Sequence, residues 1–148
     1  MPPSLPSAPP ALVATSMQPF ASVEPTSRVL VVDDDRDAAE LMSMALRSMG
    51  YDVEIAEDGP SALLAMVSFC PDAALLDIGL PGMDGYELSL RIRADERHRG
   101  VPLVALTGYD SVADVRRARD AGFAGHVGKP VDLDRLELTL SAVLAARH

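Results

Sequence analysis

Val29-Leu30-Val31-Val32 runs straight into Asp33-Asp34-Asp35, four apolar residues ending on three carboxylates. An apolar run without polar alternation is buried on both faces, as in a strand inside a parallel sheet. Apolar runs recur at 53–56, 73–76 and 103–106, and a shorter one at 124–127. Stretches of helical spacing lie between them. Ala38, Leu41, Met42, Ala45, Leu46 and Met49 recur at three- and four-residue steps, with Gly50 positioned as a cap. Leu133, Leu136, Leu140, Val143 and Leu144 repeat that rhythm after Asp132, a candidate N-cap. The intervening helices are weaker: 62–69, Leu88 with Ile92, then Val112, Val115 and Ala118. Five strand–helix units predict an α/β domain, a doubly wound parallel sheet covered on both sides.

Upstream of Arg28 the composition changes. Residues 1–27 hold seven of the 12 prolines and one charged side chain, Glu24. Such a stretch buries too little apolar area to offset its ordering entropy, so a disordered tail is expected at 1–27 and a folded domain at 28–148. It has no basic n-region and no apolar core of signal-peptide length, so this stretch is not expected to act as a secretory leader. Nor is there an apolar run long enough to span a bilayer. A net charge of −9 argues against nucleic acid or an anionic membrane as the main partner. One cysteine, Cys70, excludes an internal disulfide and fits a reducing, cytoplasmic setting. Beside Pro71, it reads as a small buried hydrophobe.

Ligands of doubly wound sheets sit beyond the carboxyl ends of the strands, at the point where the winding reverses. The residues to inspect are therefore Asp33, Asp34 and Asp35 after the first run, Asp77 after the third, Thr107 after the fourth, and Lys129-Pro130 after the fifth. With strand order 2-1-3-4-5, Asp33, Asp34 and Asp77 converge, flanked by Thr107 and Lys129. Three carboxylates in one pocket repel unless cations join them, and a single lysine offsets only one charge. Hard oxygen ligands suit Mg2+, which is commonly shared between carboxylates and a phosphate. A carboxylate beside that metal can attack phosphorus and form an acyl phosphate, with lysine and threonine meeting the transferring oxygens.

Four blocks together, Val31-Val32-Asp33-Asp34-Asp35, Leu76-Asp77-Ile78-Gly79-Leu80-Pro81-Gly82-Met83-Asp84-Gly85, Leu106-Thr107-Gly108 and Lys129-Pro130, resemble the signature of the response-regulator receiver domain. The resemblance covers 28–146 and implies a flavodoxin-like fold. It implies that Asp77 accepts a phosphoryl group from a phosphohistidine of a sensor kinase or histidine phosphotransfer protein. Asp33, Asp34, Asp77 and the backbone carbonyl of Gly79 would hold Mg2+, and Thr107 and Lys129 would bind the phosphoryl oxygens. The Lys129–Pro130 bond would be cis, and Gly108 would leave room above Asp77. His126 stands where the family commonly places Tyr or Phe as a switch that follows the threonine. Gly79 and Tyr109 occupy the positions that tune phosphoryl lifetime, and a long-lived phosphoryl group is expected.

Other residues have simpler readings. Asp35 suits the N-cap of the first helix, Asp84 a structural turn, and Pro81-Gly82 a turn. Arg116, Arg117 and Arg119 read as a solvated helix face, on the helix that in this family often meets partners. The first helix is the expected dock for the donor, through Glu40, Met44 and Arg47. A haloacid-dehalogenase-like phosphatase is an alternative, but Asp37 stands where its motif needs Thr or Val. An EF-hand loop fails on Ala38 and Met44, where glycine and glutamate belong. A non-phosphorylated scaffold would have lost one of the acids or the lysine. No output domain is expected after the last helix, so a single-domain regulator or phosphoryl shuttle is expected, with no turnover of an external substrate.

Overall fold

Five short strands supply the frame of the computed structural model: β1 (Arg28–Val32), β2 (Asp52–Ala56), β3 (Ala73–Asp77), β4 (Leu103–Thr107) and β5 (Gly125–Gly128). Each falls within one residue of an apolar run in the sequence. They pair in parallel, in the order β2-β1-β3-β4-β5, and the fold is flavodoxin-like. The connecting helices are α1 (Arg36–Ser48), α2 (Gly59–Ser68), α3 (Gly85–Ala94), α4 (Val112–Asp120) and α5 (Leu133–Ala146). A 3-10 turn, Glu96–His98, follows α3. Residues 26–108 and 112–146 are the ones the structure describes. The expected tail up to residue 25, and Tyr109, lie outside them.

Strand residues alternate between two cores because successive side chains point to opposite faces. Val29, Val31, Ala73, Leu75, Val104 and Leu106 face α1 and α5, where Ala39, Met42, Leu46, Leu136, Leu140 and Val143 meet them. Leu30, Val32, Ala74, Leu76, Leu103 and Ala105 face Ala62, Met66, Leu88, Ile92 and Ala118 on α2, α3 and α4. Both faces of the central strands are therefore dry, and β3 and β4 are buried along their whole length. Among the described residues no helix is long and apolar enough to cross a membrane.

Local signals set the helix starts. Asp35 caps α1 by accepting from the Ala38 amide, and Asp58 caps α2 in a reciprocal box with Ser61. Asp84 caps α3 through the Glu87 amide, and the Asp132 carboxylate accepts from the Asp134 amide at the start of α5. Gly50, at φ +104°, ends α1 in the left-handed region that glycine enters cheaply.

Two expectations need correction. The buried stripe of α1 is Ala39, Met42, Ser43 and Leu46, and Leu41 is 69% exposed; α1 meets the sheet along a line rotated from the apolar maximum of its sequence. Cys70 is exposed, not buried, with φ +52° and its thiol donating to the Val67 carbonyl. Pro71 disfavours helical backbone at the preceding residue, so the chain leaves α2 through a left-handed turn that carries the side chain outward.

Candidate functional site

The carboxyl ends of β1, β3, β4 and β5 bring Asp33, Asp77, Thr107 and Lys129 to one point. Parallel register does the positioning: Asp77 lies level with Leu106, and Thr107 with Gly128. The Lys129 amide continues the β4–β5 ladder onto the Thr107 carbonyl at 2.7 Å. The Lys129–Pro130 peptide is cis.

From there Nζ of Lys129 donates to Oδ2 of Asp77 at 3.0 Å and to Oδ2 of Asp33 at 3.3 Å. The other oxygen of each acid is held by backbone. Oδ1 of Asp77 accepts from the Gly79 amide and Oδ1 of Asp33 from the Asp35 amide, both at 2.9 Å. Asp33 is fully buried, Asp77 8% exposed and Thr107 4% exposed.

One ammonium shared by two buried carboxylates is an incomplete balance. Burial raises the Asp33 pKa, and the Asp35 amide and Lys129 charge do not cancel that effect. Burial works against the Lys129 ammonium too, but hydrogen bonds and charge from Asp77 and Asp33 outweigh it and raise its pKa. Asp34, exposed at the rim, completes a trio: one carboxylate oxygen from each of Asp33, Asp34 and Asp77 lies within 4.8 Å of the others. Three hard donors, one buried and only partly neutralised, suit a divalent cation such as Mg2+. Asp35 stays apart from this set, its carboxylate spent on the α1 cap.

Asp77 opens into a cleft of about 540 Å3 lined by Ile78, Gly79, Thr107, Gly108 and Lys129, and also by Asp84, Tyr86 and Arg117. Among the described residues a Cβ at Gly108 would meet nothing within 4 Å, and a Cβ at Gly79 would come no nearer than 3.6 Å to Oδ1 of Asp77. Gly82 turns the chain at φ +79°, as expected for Pro81-Gly82.

His126 stands half-buried on β5, level with Ala105, between a groove towards α4 and another towards α5. Arg116 is exposed as expected. Arg117 and Arg119 are exposed too, as a solvated face requires, but Arg117 also lines the cleft, its guanidinium 3.8 Å from the centroid of the Tyr86 ring. Nothing in the sequence separates Arg117 from Arg116 and Arg119; the rotation of α4 against the sheet does.

Residues 29–141 match the family model described as the response regulator receiver domain. Among similar proteins, MtrA of Mycobacterium tuberculosis, named a DNA-binding response regulator, is 41% identical over 103 residues. That match takes in 70% of this chain and 44% of MtrA. RpaA of Synechocystis, named a DNA-binding dual master transcriptional regulator, is 34% identical over 117 residues, 79% of this chain and 48% of RpaA. The chain thus spans about half the length of the curated relatives it matches.

Two solved structures align closely. The receiver domain of NtrX from Brucella abortus has a TM-score of 0.73 at 32% identity, covering 79% of this chain and 98% of that one. The chemotaxis response regulator CheY4 of Vibrio cholerae has a TM-score of 0.76 at 29% identity, covering 80% and 99%. Fold, strand-end constellation and matched span agree: this chain belongs to the response regulator receiver family of two-component signalling.

Proposed function

We propose that Asp77 accepts a phosphoryl group from the phosphohistidine of a sensor kinase or histidine phosphotransfer protein. One observation carries this reading: Lys129 Nζ bridges Asp77 and buried Asp33 on the floor of an open cleft that Thr107 also lines. A carboxylate oxygen of Asp77 attacks phosphorus, and the P–N bond to the donor imidazole breaks. The imidazole nitrogen keeps the electron pair and takes up a proton. Lys129 and the Thr107 hydroxyl are placed to meet the transferring oxygens, where charge builds as the bonds exchange. Asp33, Asp34 and Asp77, with the Gly79 carbonyl, would hold Mg2+. Its chemistry there is to neutralise the carboxylates and the charge on those oxygens.

Drawing Thr107 towards a phosphoryl group would bias β4, α4 and β5 between two arrangements, with His126 reporting the change to the outer face of β5. The phosphoryl group is then either relayed onward or read by a protein partner. The acidic charge balance offers a polyanion no favourable surface on this stretch. The DNA binding named for the relatives belongs to proteins of about twice the matched length.

The donor is expected along α1, beside a groove of about 520 Å3 lined by Ala38, Leu41, Met42, Lys129, Pro130 and Leu133. Leu41 and Met44 stand out from α1, whereas Arg47 is tied back to the Val53 carbonyl at 3.0 Å. An apolar face beside a phosphohistidine fits that groove better than a charge-matched contact at Arg47. A dehalogenase-type phosphatase would use Asp33 as nucleophile, yet Asp33 is fully buried while Asp77 opens into the cleft.

The test is transfer of label from a phosphorylated kinase or phosphotransfer protein to the purified chain. Wild type takes label in Mg2+ and loses that ability in excess chelator. Asp77→Asn takes none while keeping its melting temperature, since the amide is isosteric but a poor nucleophile. Undiminished labelling of Asp77→Asn, or of wild type in chelator, overturns the assignment.

A further inference from the structure

Resting on that acceptor reading, we propose that Arg117 is a donor-binding residue of the cleft, the cation that receives the oxygens of an incoming phosphoryl donor. Of the described residues lining the cleft, two carry positive charge, Lys129 and Arg117. Lys129 is committed to two carboxylates. Arg117 forms no ion pair among the described residues; its guanidinium lies over the face of Tyr86.

That partner gives the exposed guanidinium a flat surface to rest on. Tyr86 is itself buried, and its ring meets Phe123 edge-on, with centroids 6.3 Å apart and planes at 86°. Arg117 therefore sits on a platform built from α3 and the turn before β5. Stacking uses the flat face of a guanidinium and leaves its N–H edges free to donate. Those edges form the planar fork that matches two oxygens of a phosphate.

Electrostatics supplies the need. A phosphoryl donor is an anion, and the cleft also presents it with the carboxylates of Asp77 and Asp84. Asp84 is only partly satisfied, through its cap bond to the Glu87 amide. A second cation lining the cleft offsets this repulsion and raises the local concentration of an anionic donor. Arg116 and Arg119 cannot substitute from the same helix. Arg119 lines the groove between α4 and β5, and Arg116 lines neither cavity.

The experiment uses acetyl phosphate as the probe, with the full chain in saturating Mg2+, and follows acyl-phosphate formation on Asp77 and its later hydrolysis. Arg117→Gln is expected to lower the second-order rate constant by about fivefold or more, chiefly through a higher half-saturating concentration. Hydrolysis of the formed acyl phosphate stays unchanged. Arg117→Lys restores part of the rate, Arg116→Gln behaves as wild type, and added salt narrows the gap between Arg117→Gln and wild type. Equal rates for Arg117→Gln and wild type, or an equal loss in Arg116→Gln, overturn the role of Arg117 while leaving Asp77 as acceptor. A loss confined to the maximal rate also overturns it. Wild type that takes no label on Asp77 removes the acceptor reading, and this inference with it.

Discussion

Gly85 is the first residue of α3, and replacing it with alanine tests how tightly the loop carrying Asp77 is held. A Cβ built there lies 2.7 Å from the Asp77 carbonyl oxygen, 2.7 Å from the Ile78 Cα and 3.1 Å from the Asp77 carbonyl carbon. The two nearest approaches are about 0.7 Å short of the 3.4 Å at which ordinary contact begins. All three atoms are backbone, at the end of a strand paired on both sides, and the Gly85 amide is bonded to the Ile78 carbonyl at 3.1 Å. Nothing there can rotate away. Overpacking of this kind costs about 1–3 kcal/mol, and the better helix propensity of alanine returns only about 0.5–1 kcal/mol. A net loss of about 1–2 kcal/mol lowers Tm by roughly 4–8 °C in a domain of this size.

Gly59→Ala is the control. Its Cβ would meet the Met83 Sδ at 2.6 Å and Cε at 3.1 Å, the far end of a flexible side chain, and the Met83 Cβ at 3.0 Å. The thioether end can swing aside and the Met83 Cβ needs to give only a few tenths of an ångström, so the net cost is expected to be about 1 kcal/mol and below that of Gly85→Ala. Thermal melts followed by circular dichroism compare the two variants with wild type. Labelling of Asp77 in Gly85→Ala should fall about tenfold or more, because sub-ångström placement of the acceptor governs transfer. A Gly85→Ala Tm within about 2 °C of wild type, or equal losses in both variants, would refute the rigid-backbone argument.

Three further outcomes follow from the site and its surroundings. Lys129→Met leaves Asp33 and Asp77 facing each other without an ammonium, and should cost about 2–3 kcal/mol in chelator. Added Mg2+ should recover more stability in that variant than in wild type, and a melt in chelator matching wild type would count against it. Asp33 has a folded-state pKa above its unfolded value, so its contribution is most favourable when protonated. Stability from this group is full below the unfolded value of 3.8 and is lost as pH rises through the folded one. Asp33→Asn should remove that loss, leaving the chelated protein at least as stable as wild type at neutral pH while reducing the Mg2+-induced rise in Tm. Asp95 behaves oppositely: hydrogen bonds from the Arg97 side chain and amide lower its pKa to about 2. Its contribution is present above 3.8 and fades as pH falls towards about 2. Asp95→Asn should flatten the stability profile in that window alone, as read by urea melts across pH.

Much of the fold was legible because its signals are local. The apolar runs at 29–32, 73–76 and 103–106 announce strands buried on both faces, and each ends where chemistry begins. Asp35, Asp58 and Asp84 are short-range caps that need only the next three residues to act. Periodicity gave the existence of α1 but not its orientation: Leu41 fits the apolar rhythm yet faces solvent, and Ser43 is buried with its hydroxyl bonded to the Ala39 carbonyl. Cys70 was misread because a left-handed turn before Pro71 reverses the direction that composition alone suggests.

Order along the chain and residue type were enough to nominate Asp33, Asp34, Asp77, Thr107 and Lys129, since strand ends in a doubly wound sheet converge whatever the loops between them do. Their bonding pattern is a different matter. That one ammonium serves both Asp77 and Asp33, while backbone amides hold each acid's other oxygen, depends on register between strands dozens of residues apart. Arg117 shows the same division. Three arginines at 116, 117 and 119 are alike as letters, and the angle at which α4 packs decides which one reaches Tyr86 and the cleft. Local patterns are written in neighbouring residues; long-range contacts are settled when separate elements pack, and only then do charge and distance combine into a site.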